Sequence, residues 1–117
     1  MLVSAHVLTL VVAILHIWFL VLEMFLWTKP LGLKSFKMSA TEAQATKVLA
    51  QNQGLYNGFL AASLIWGVMA SEAVLVMFGL ICVIIAGVFG AKSVSVRIFF
   101  IQSVPAILAL SCLVLAQ

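Results

Sequence analysis

The chain has 117 residues, of which 66% are hydrophobic and only 8% are charged. A soluble domain is typically about 25% charged, so this chain lacks the polar residues that would cover a globule in water, and lipid is the expected solvent. The net charge of +3 does not indicate nucleic-acid binding, because all six basic residues fall between hydrophobic runs.

Four hydrophobic runs divide the chain. A membrane span needs about 20 predominantly apolar residues, so 117 residues allow four spans and no extramembrane domain. We therefore predict an all-α protein, a four-helix transmembrane bundle forming one integral membrane domain over residues 1–117. The first run is interpreted as a span and not as a signal peptide, because no basic residue precedes it. The spans are expected at about 2–27, 54–70, 73–91 and 97–116.

The segment between the first two runs contains residues typical of helix ends and helix starts. Pro30 and Gly32 are expected to end the first helix near the cytoplasmic surface. Ser39 and Glu42 have the spacing of a capping box, with Ser39 as the N-cap. The sequence predicts one helix over about 40–69, whose first part is a short amphipathic cytoplasmic helix and whose last part is the second span.

Small residues and a proline mark the later runs. Gly54, Gly58 and Ala62 recur every four residues, a spacing that lets another helix approach closely in a membrane. Pro105 in the fourth run lacks a backbone N–H and crowds the carbonyl of Ile101, so a kink is expected there.

The distribution of basic residues predicts the topology. The turn between the second and third runs holds Glu72 and no basic residue. The positive-inside rule then places both termini outside and the first and third loops in the cytoplasm of a bacterial inner-membrane protein. The basic first loop is expected to lie against anionic headgroups, which makes membrane lipid a predicted partner. The bases are Lys29, Lys34, Lys37 and Lys47 in the first loop, and Lys92 and Arg97 in the third.

Polar residues inside the first run form one stripe. Thr9, His16 and Glu23 are seven residues apart and so share a helix face. An ionisable group in hydrocarbon costs at least ~2.5–3.5 kcal/mol, so this stripe should face the protein interior or a partner subunit. His16 and Glu23 lie about 10 Å apart along the helix axis, too far to ligate one metal ion.

Several polar side chains are expected at one depth. With the predicted topology, Glu23 near the end of the first span and the polar residues that begin the second and fourth spans share a layer near the cytoplasmic side. A mostly apolar site with a few converging polar groups is typical of a small-molecule pocket. The predicted ligand-binding residues are His16, Glu23, Asn52, Gln53, Tyr56, Asn57 and Gln102.

The same residues are also compatible with purely structural roles. Asn57 and Gln102 are also suited to interhelical hydrogen bonds. Glu23 could pair with Tyr56 or Asn57, or reach toward Lys29 at the interface. Cys82 and Cys112 are expected to be small packing residues. We predict no metal site and no cofactor, since no zinc, phosphate-loop or nucleophile motif occurs.

Four motifs together resemble a known family, the bacterial domain-of-unknown-function family 1304. The resemblance covers essentially the whole chain and implies a small inner-membrane protein with four helices. It implies no activity, substrate or catalytic residue. The motifs are LEMFLW at 22–27, NQGLYNGFLA at 52–61, AGVFGA at 86–91 and QSVPA at 102–106.

Three classes of function are compatible with the sequence. The first is a small-molecule or lipid binder or transporter, proton-coupled through Glu23 and working as a homodimer. Such a protein resembles the small multidrug resistance transporters in size, helix count and its one acidic residue in the first span, although its motifs differ and Glu23 lies nearer the cytoplasmic end. The second is an intramembrane enzyme on a lipid-like substrate, with Glu23 as general acid or base and Tyr56 and Asn57 orienting the substrate. The third is a structural or regulatory subunit of a membrane complex that docks through its Gly and Ala rows. Whether the protein is an enzyme stays open.

Overall fold

The computed structural model describes residues 1–117 as helices joined by short turns, with no strand. The all-α prediction is therefore confirmed. The helices are α1 (Leu2–Met24), α2 (Pro30–Phe36), α3 (Ala40–Met69), α4 (Ala73–Ser93), a π-helix (Phe99–Ser103) and α5 (Val104–Val114).

Two helices are long and apolar enough to cross a membrane. They are α1, with 23 residues, and α4, with 21. At 1.5 Å per residue they measure about 34 Å and about 31 Å, against a hydrocarbon core of about 30 Å. The π-helix and α5 together form a shorter apolar helix, Phe99–Val114. The four-span division stays a prediction.

Burial in α1 is inverted relative to a helix of a water-soluble protein. Its polar residues Thr9, His16 and Glu23 are all buried, while its apolar residues Val3 and Ile14 are more than 60% exposed. Only 33% of the most apolar stretch of α1 is buried, and 28% of that of α4. A surface of large apolar side chains over a polar stripe is the arrangement that a lipid solvent favours.

The backbone contacts group into two compact units, Met1–Ile14 with Ala62–Gln117, and Leu15–Ala61. In the first unit, α4 packs against the π-helix and α5. Ser103 Oγ donates a hydrogen bond to the Ile84 carbonyl at 2.9 Å. Gly87 allows this approach, because a Cβ there would overlap Ser103 Oγ and lie 3.0 Å from its backbone nitrogen.

A π-helix directly precedes the turn that contains Pro105, where the sequence predicts a kink. Pro105 has no N–H to give to the carbonyl of Ile101. Just before it, the Val104 N–H bonds to the Phe99 carbonyl, five residues back. A π-helical turn is one of the ways in which a helix is deformed.

The second unit contains the end of α1, α2 and most of α3. α1 ends at Met24, three residues earlier than predicted, since the Leu26 N–H bonds to the Val21 carbonyl five residues back and closes the helix. α2 follows, with Pro30 in its first turn, and it is a helix that the sequence analysis did not predict.

The start of α3 is confirmed in detail. The Ser39 N–H donates to Glu42 Oε2 at 2.8 Å, and the Glu42 N–H donates to Ser39 Oγ at 3.1 Å. These reciprocal bonds are a capping box, which satisfies N–H groups that have no partner within the helix. The helix then runs without interruption over the predicted range.

Candidate functional site

The most polar buried feature of the second unit is a pair between α1 and α3. Asn57 Nδ2 donates a hydrogen bond to Glu23 Oε1 at 2.8 Å. Glu23 is only 3% exposed, and its other oxygen, Oε2, is buried without a hydrogen-bond partner. A buried acceptor left unpaired costs about 1–3 kcal/mol, and more when it is charged. The pair is therefore a buried polar site between α1 and α3 in which one carboxylate oxygen has no hydrogen bond.

Gly54 brings α3 close to α1 at this pair. A Cβ at Gly54 would lie 2.6 Å from Met24 Cγ, 3.1 Å from Glu23 Cβ and 3.3 Å from the Leu20 carbonyl oxygen. A larger residue would require at least the Met24 side chain to shift. Since Asn57 is three residues from Gly54, it lies on the same face of α3 and reaches the carboxylate.

Gly58 continues the close approach on the next turn. A Cβ there would lie 2.6 Å from Leu20 Cδ1. Ala50 and Ala61 are buried on the same face of α3. The predicted small-residue row thus serves packing within the chain, although Ala62, which the prediction placed in that row, is exposed.

His16 lies on the same stripe of α1, two turns before Glu23. It is 1% exposed, and its ring packs edge-on against Phe19 with centroids 5.3 Å apart. The buried stripe predicted for α1 is therefore present. His16 belongs to the same compact unit as the Glu23–Asn57 pair.

Three other predicted site residues on α3 are more exposed than either member of the pair. Asn52, Gln53 and Tyr56 are exposed, and the Tyr56 ring packs edge-on against Phe59 with centroids 5.7 Å apart. Tyr56 directly precedes Asn57, and successive helical residues are rotated by about 100°. Their ligand-binding roles stay predictions.

Gln102 belongs to the other compact unit. It is half-buried in the π-helix, beside Ser103. A Cβ added to Gly87 of α4 would lie 3.2 Å from Gln102 Cβ. Gln102 therefore lies where the π-helix packs against α4.

Sequence reasoning missed two polar contacts. Ser103 is fully buried and bonded to α4; its signal was a small polar residue two positions before a helical proline. Trp27 Nε1 donates to Thr46 Oγ1 at 3.0 Å and ties the end of α1 to α3.

The chemistry of the pair is that of hydrogen-bond and charge recognition. Glu23 and Asn57 offer carboxylate and amide oxygens, and no group of three or more His, Cys, Asp or Glu side chains could hold a metal ion. A shallow surface groove is lined by Ala62, Ile65, Trp66, Met69 and Ala70, and none of these is a predicted site residue.

Comparison with known proteins identifies the family. Residues 10–114 match the family model described as "Protein of unknown function (DUF1304)". The chain belongs to this family. A relative from Lactococcus lactis subsp. lactis (strain IL1403), described as "Uncharacterized protein YpaA", is 32% identical over 108 residues, covering 89% of this chain and 91% of the relative. No solved structure matches the chain.

Membership of the DUF1304 family confirms the resemblance drawn from the four sequence motifs. The matched residues include both members of the Glu23–Asn57 pair, His16 and Gln102. The description of the family assigns no activity.

Proposed function

We propose that this DUF1304 protein is a multi-pass protein of the bacterial cytoplasmic membrane that binds a small molecule or lipid headgroup at the Glu23–Asn57 pair. The observation that carries the proposal is the buried Glu23 Oε2, which has no partner within the chain. Ionisable groups inside membrane helices are costly and mark functional sites by default. A donor group of a ligand would complete the hydrogen bonding of this carboxylate.

Asn57 is the accessible part of the proposed site. It is half-buried, whereas Glu23 is buried. A ligand would therefore meet the Asn57 amide first, and movement of this side chain would open the carboxylate. His16 would act from one side of the same stripe, two helical turns away.

Four spans are proposed, although only α1 and α4 are long and apolar enough to be recognised as membrane spans by length and composition. α3 has 30 residues and measures about 45 Å, so about ten residues of an untilted α3 would lie outside a hydrocarbon core of about 30 Å. The polar first turns of α3 suit that location. Phe99–Val114 measures about 24 Å and would span a locally thinned bilayer.

A more specific form of the proposal is that the protein transports the ligand that it binds. A carboxyl group can hold either a proton or a cationic ligand, so exchange of the two at Glu23 would couple ligand movement to a proton gradient. Because a few short helices enclose little space, we propose that a homodimer forms the path. The large exposed aromatic residues of α3, such as Trp66, would face lipid or the second copy.

The two alternative functions are less well supported. An enzyme acting through Glu23 needs an orienting group, and Tyr56 is 63% exposed and packed on Phe59. A subunit that docks through its glycine rows needs those rows to be free, but Gly54 and Gly58 already contact α1. No specific observation favours either function over ligand binding.

Native mass spectrometry in mild detergent tests the proposal. We expect the wild-type protein to retain a defined non-protein mass, as a dimer, and the E23Q variant to lose it. Glu42→Gln is the matched control, since Glu42 is exposed and caps α3 far from the pair. Equal retention by E23Q, or bare wild-type protein in every preparation, would contradict a ligand site at Glu23.

A further inference from the structure

The short helix α2 is surrounded by unpaired positive charge. Lys29 and Lys37 flank it and Lys34 lies in its last turn, and all three are exposed. No ion pair neutralises them. The one acidic residue between Phe25 and Ala50 is Glu42, whose Oε2 accepts the Ser39 N–H.

The residues around α2 hold it firmly in place. Gly32 packs directly on the turn after α1, because a Cβ there would overlap the Leu26 carbonyl oxygen and lie 2.7 Å from that of Trp27. The Trp27 and Phe36 rings pack with centroids 4.6 Å apart. Trp27 is in turn bonded to Thr46 on α3. The three lysines are therefore carried on a fixed element.

Apolar side chains are exposed among these lysines. Leu31 is 46% exposed and Phe36 is 40% exposed. α2 follows five residues after the end of α1, which is long enough to cross the membrane. A helix that combines lysines with exposed Leu and Phe beside a span is suited to the boundary between headgroups and acyl chains, and tryptophan is enriched at the same depth.

We propose that the segment 29–37 is a binding site for anionic phospholipid headgroups of the phosphatidylglycerol type. Lys29, Lys34 and Lys37 contact the phosphate, while Leu31 and Phe36 enter the upper acyl region. Charge complementarity selects this occupant, because three cations without a protein counter-ion lie beside a membrane helix. The inference rests on the membrane location alone and is independent of the Glu23–Asn57 site.

The test is tryptophan quenching by brominated lipid in reconstituted full-length protein. Trp18→Phe and Trp66→Phe leave Trp27, which packs against α2, as the only tryptophan; both replaced residues are substantially exposed. Brominated phosphatidylglycerol and brominated phosphatidylcholine are compared at equal fractions, which yields the ratio of their association constants near Trp27.

We expect a ratio of at least about five, which is the preference that a single lysine near an anionic surface contributes. The K29Q/K34Q/K37Q variant should bring the ratio close to one, and raising the salt to about 0.5 M should lower it in the wild type. K92Q/R97Q is the matched control, because these bases are also exposed but lie in another loop; it should leave the ratio unchanged.

A variant that keeps the charge, K29R/K34R/K37R, should retain the preference, so that the loss in K29Q/K34Q/K37Q is assigned to the charge and not to substitution at these positions. A wild-type ratio near one at low salt would overturn the proposal and would favour an acidic protein partner for this surface. A preference that survives K29Q/K34Q/K37Q, or that falls equally in K92Q/R97Q, would overturn it as well.

Discussion

Asn57 Nδ2 and Glu23 Oε1 lie 2.8 Å apart, joining α3 to α1 through a hydrogen bond between two side chains 34 residues apart in the chain. Gly54 and Gly58 bring the two helices close enough for it to form. The bond satisfies one carboxylate oxygen and leaves the other without a partner.

Asn57→Leu should destabilise the protein by about 1–3 kcal/mol, because it leaves the whole Glu23 carboxylate without a partner. The double variant E23L/N57L should recover most of the loss, since replacing both buried polar partners by apolar groups is close to neutral. Unfolding in mixed detergent measures both. Additive losses in the double variant would show that the two side chains are not coupled.

Substitutions of the glycines should rank by what surrounds each one. Gly32→Ala should cost most, since its Cβ would meet backbone carbonyl oxygens, and Gly58→Ala least, since its nearest neighbour is the flexible end of Leu20. Overpacking of this kind costs about 1–3 kcal/mol. Thermal unfolding measures the order. Ala62→Leu, at an exposed position on α3, should change stability little, and a loss as large as that of Gly32→Ala would contradict this packing.

Ser103→Ala should loosen the contact between the π-helix and α4, because it removes the 2.9 Å bond to the Ile84 carbonyl. Such bonds contribute about 0.6 kcal/mol on average in membrane bundles, with a maximum near 1.7. The rate of hydrogen exchange at the π-helix amides should be higher in Ser103→Ala than in the wild type. Ser111→Ala is the control, since Ser111 is exposed on α5. Equal effects of the two substitutions would indicate that the bond does not stabilise the contact between the π-helix and α4.

The topology proposed from the lysines is measurable by labelling. In a Cys82→Ala/Cys112→Ala background, Glu72→Cys should react with an impermeant maleimide on intact cells, while Ser35→Cys should react only after lysis. Both positions are exposed, so accessibility reports the side of the membrane. The reverse pattern would place the termini in the cytoplasm and contradict the positive-inside assignment.

Local signals in the sequence were sufficient for several elements. Ser39 and Glu42 are three residues apart and cap α3 through bonds that need no other part of the chain. The seven-residue spacing of Thr9, His16 and Glu23 placed them on one face of α1, and all three are buried. The missing N–H of Pro105 predicted a kink there, and the π-helix that precedes Pro105 was not predicted.

Other elements depended on contacts between distant residues. The helical state of α2 and the end of α1 at Met24 involve the packing of Gly32 on the Leu26 carbonyl. Composition and spacing predicted a helical membrane protein with a polar stripe, because hydrophobic length and helical periodicity are properties of the chain itself. The choice of Asn57 over its neighbour Tyr56 as the partner of Glu23 required the tertiary structure. It depends on which face of α3 is close to α1, and that face is determined by packing at Gly54 and Gly58, far along the chain from Glu23.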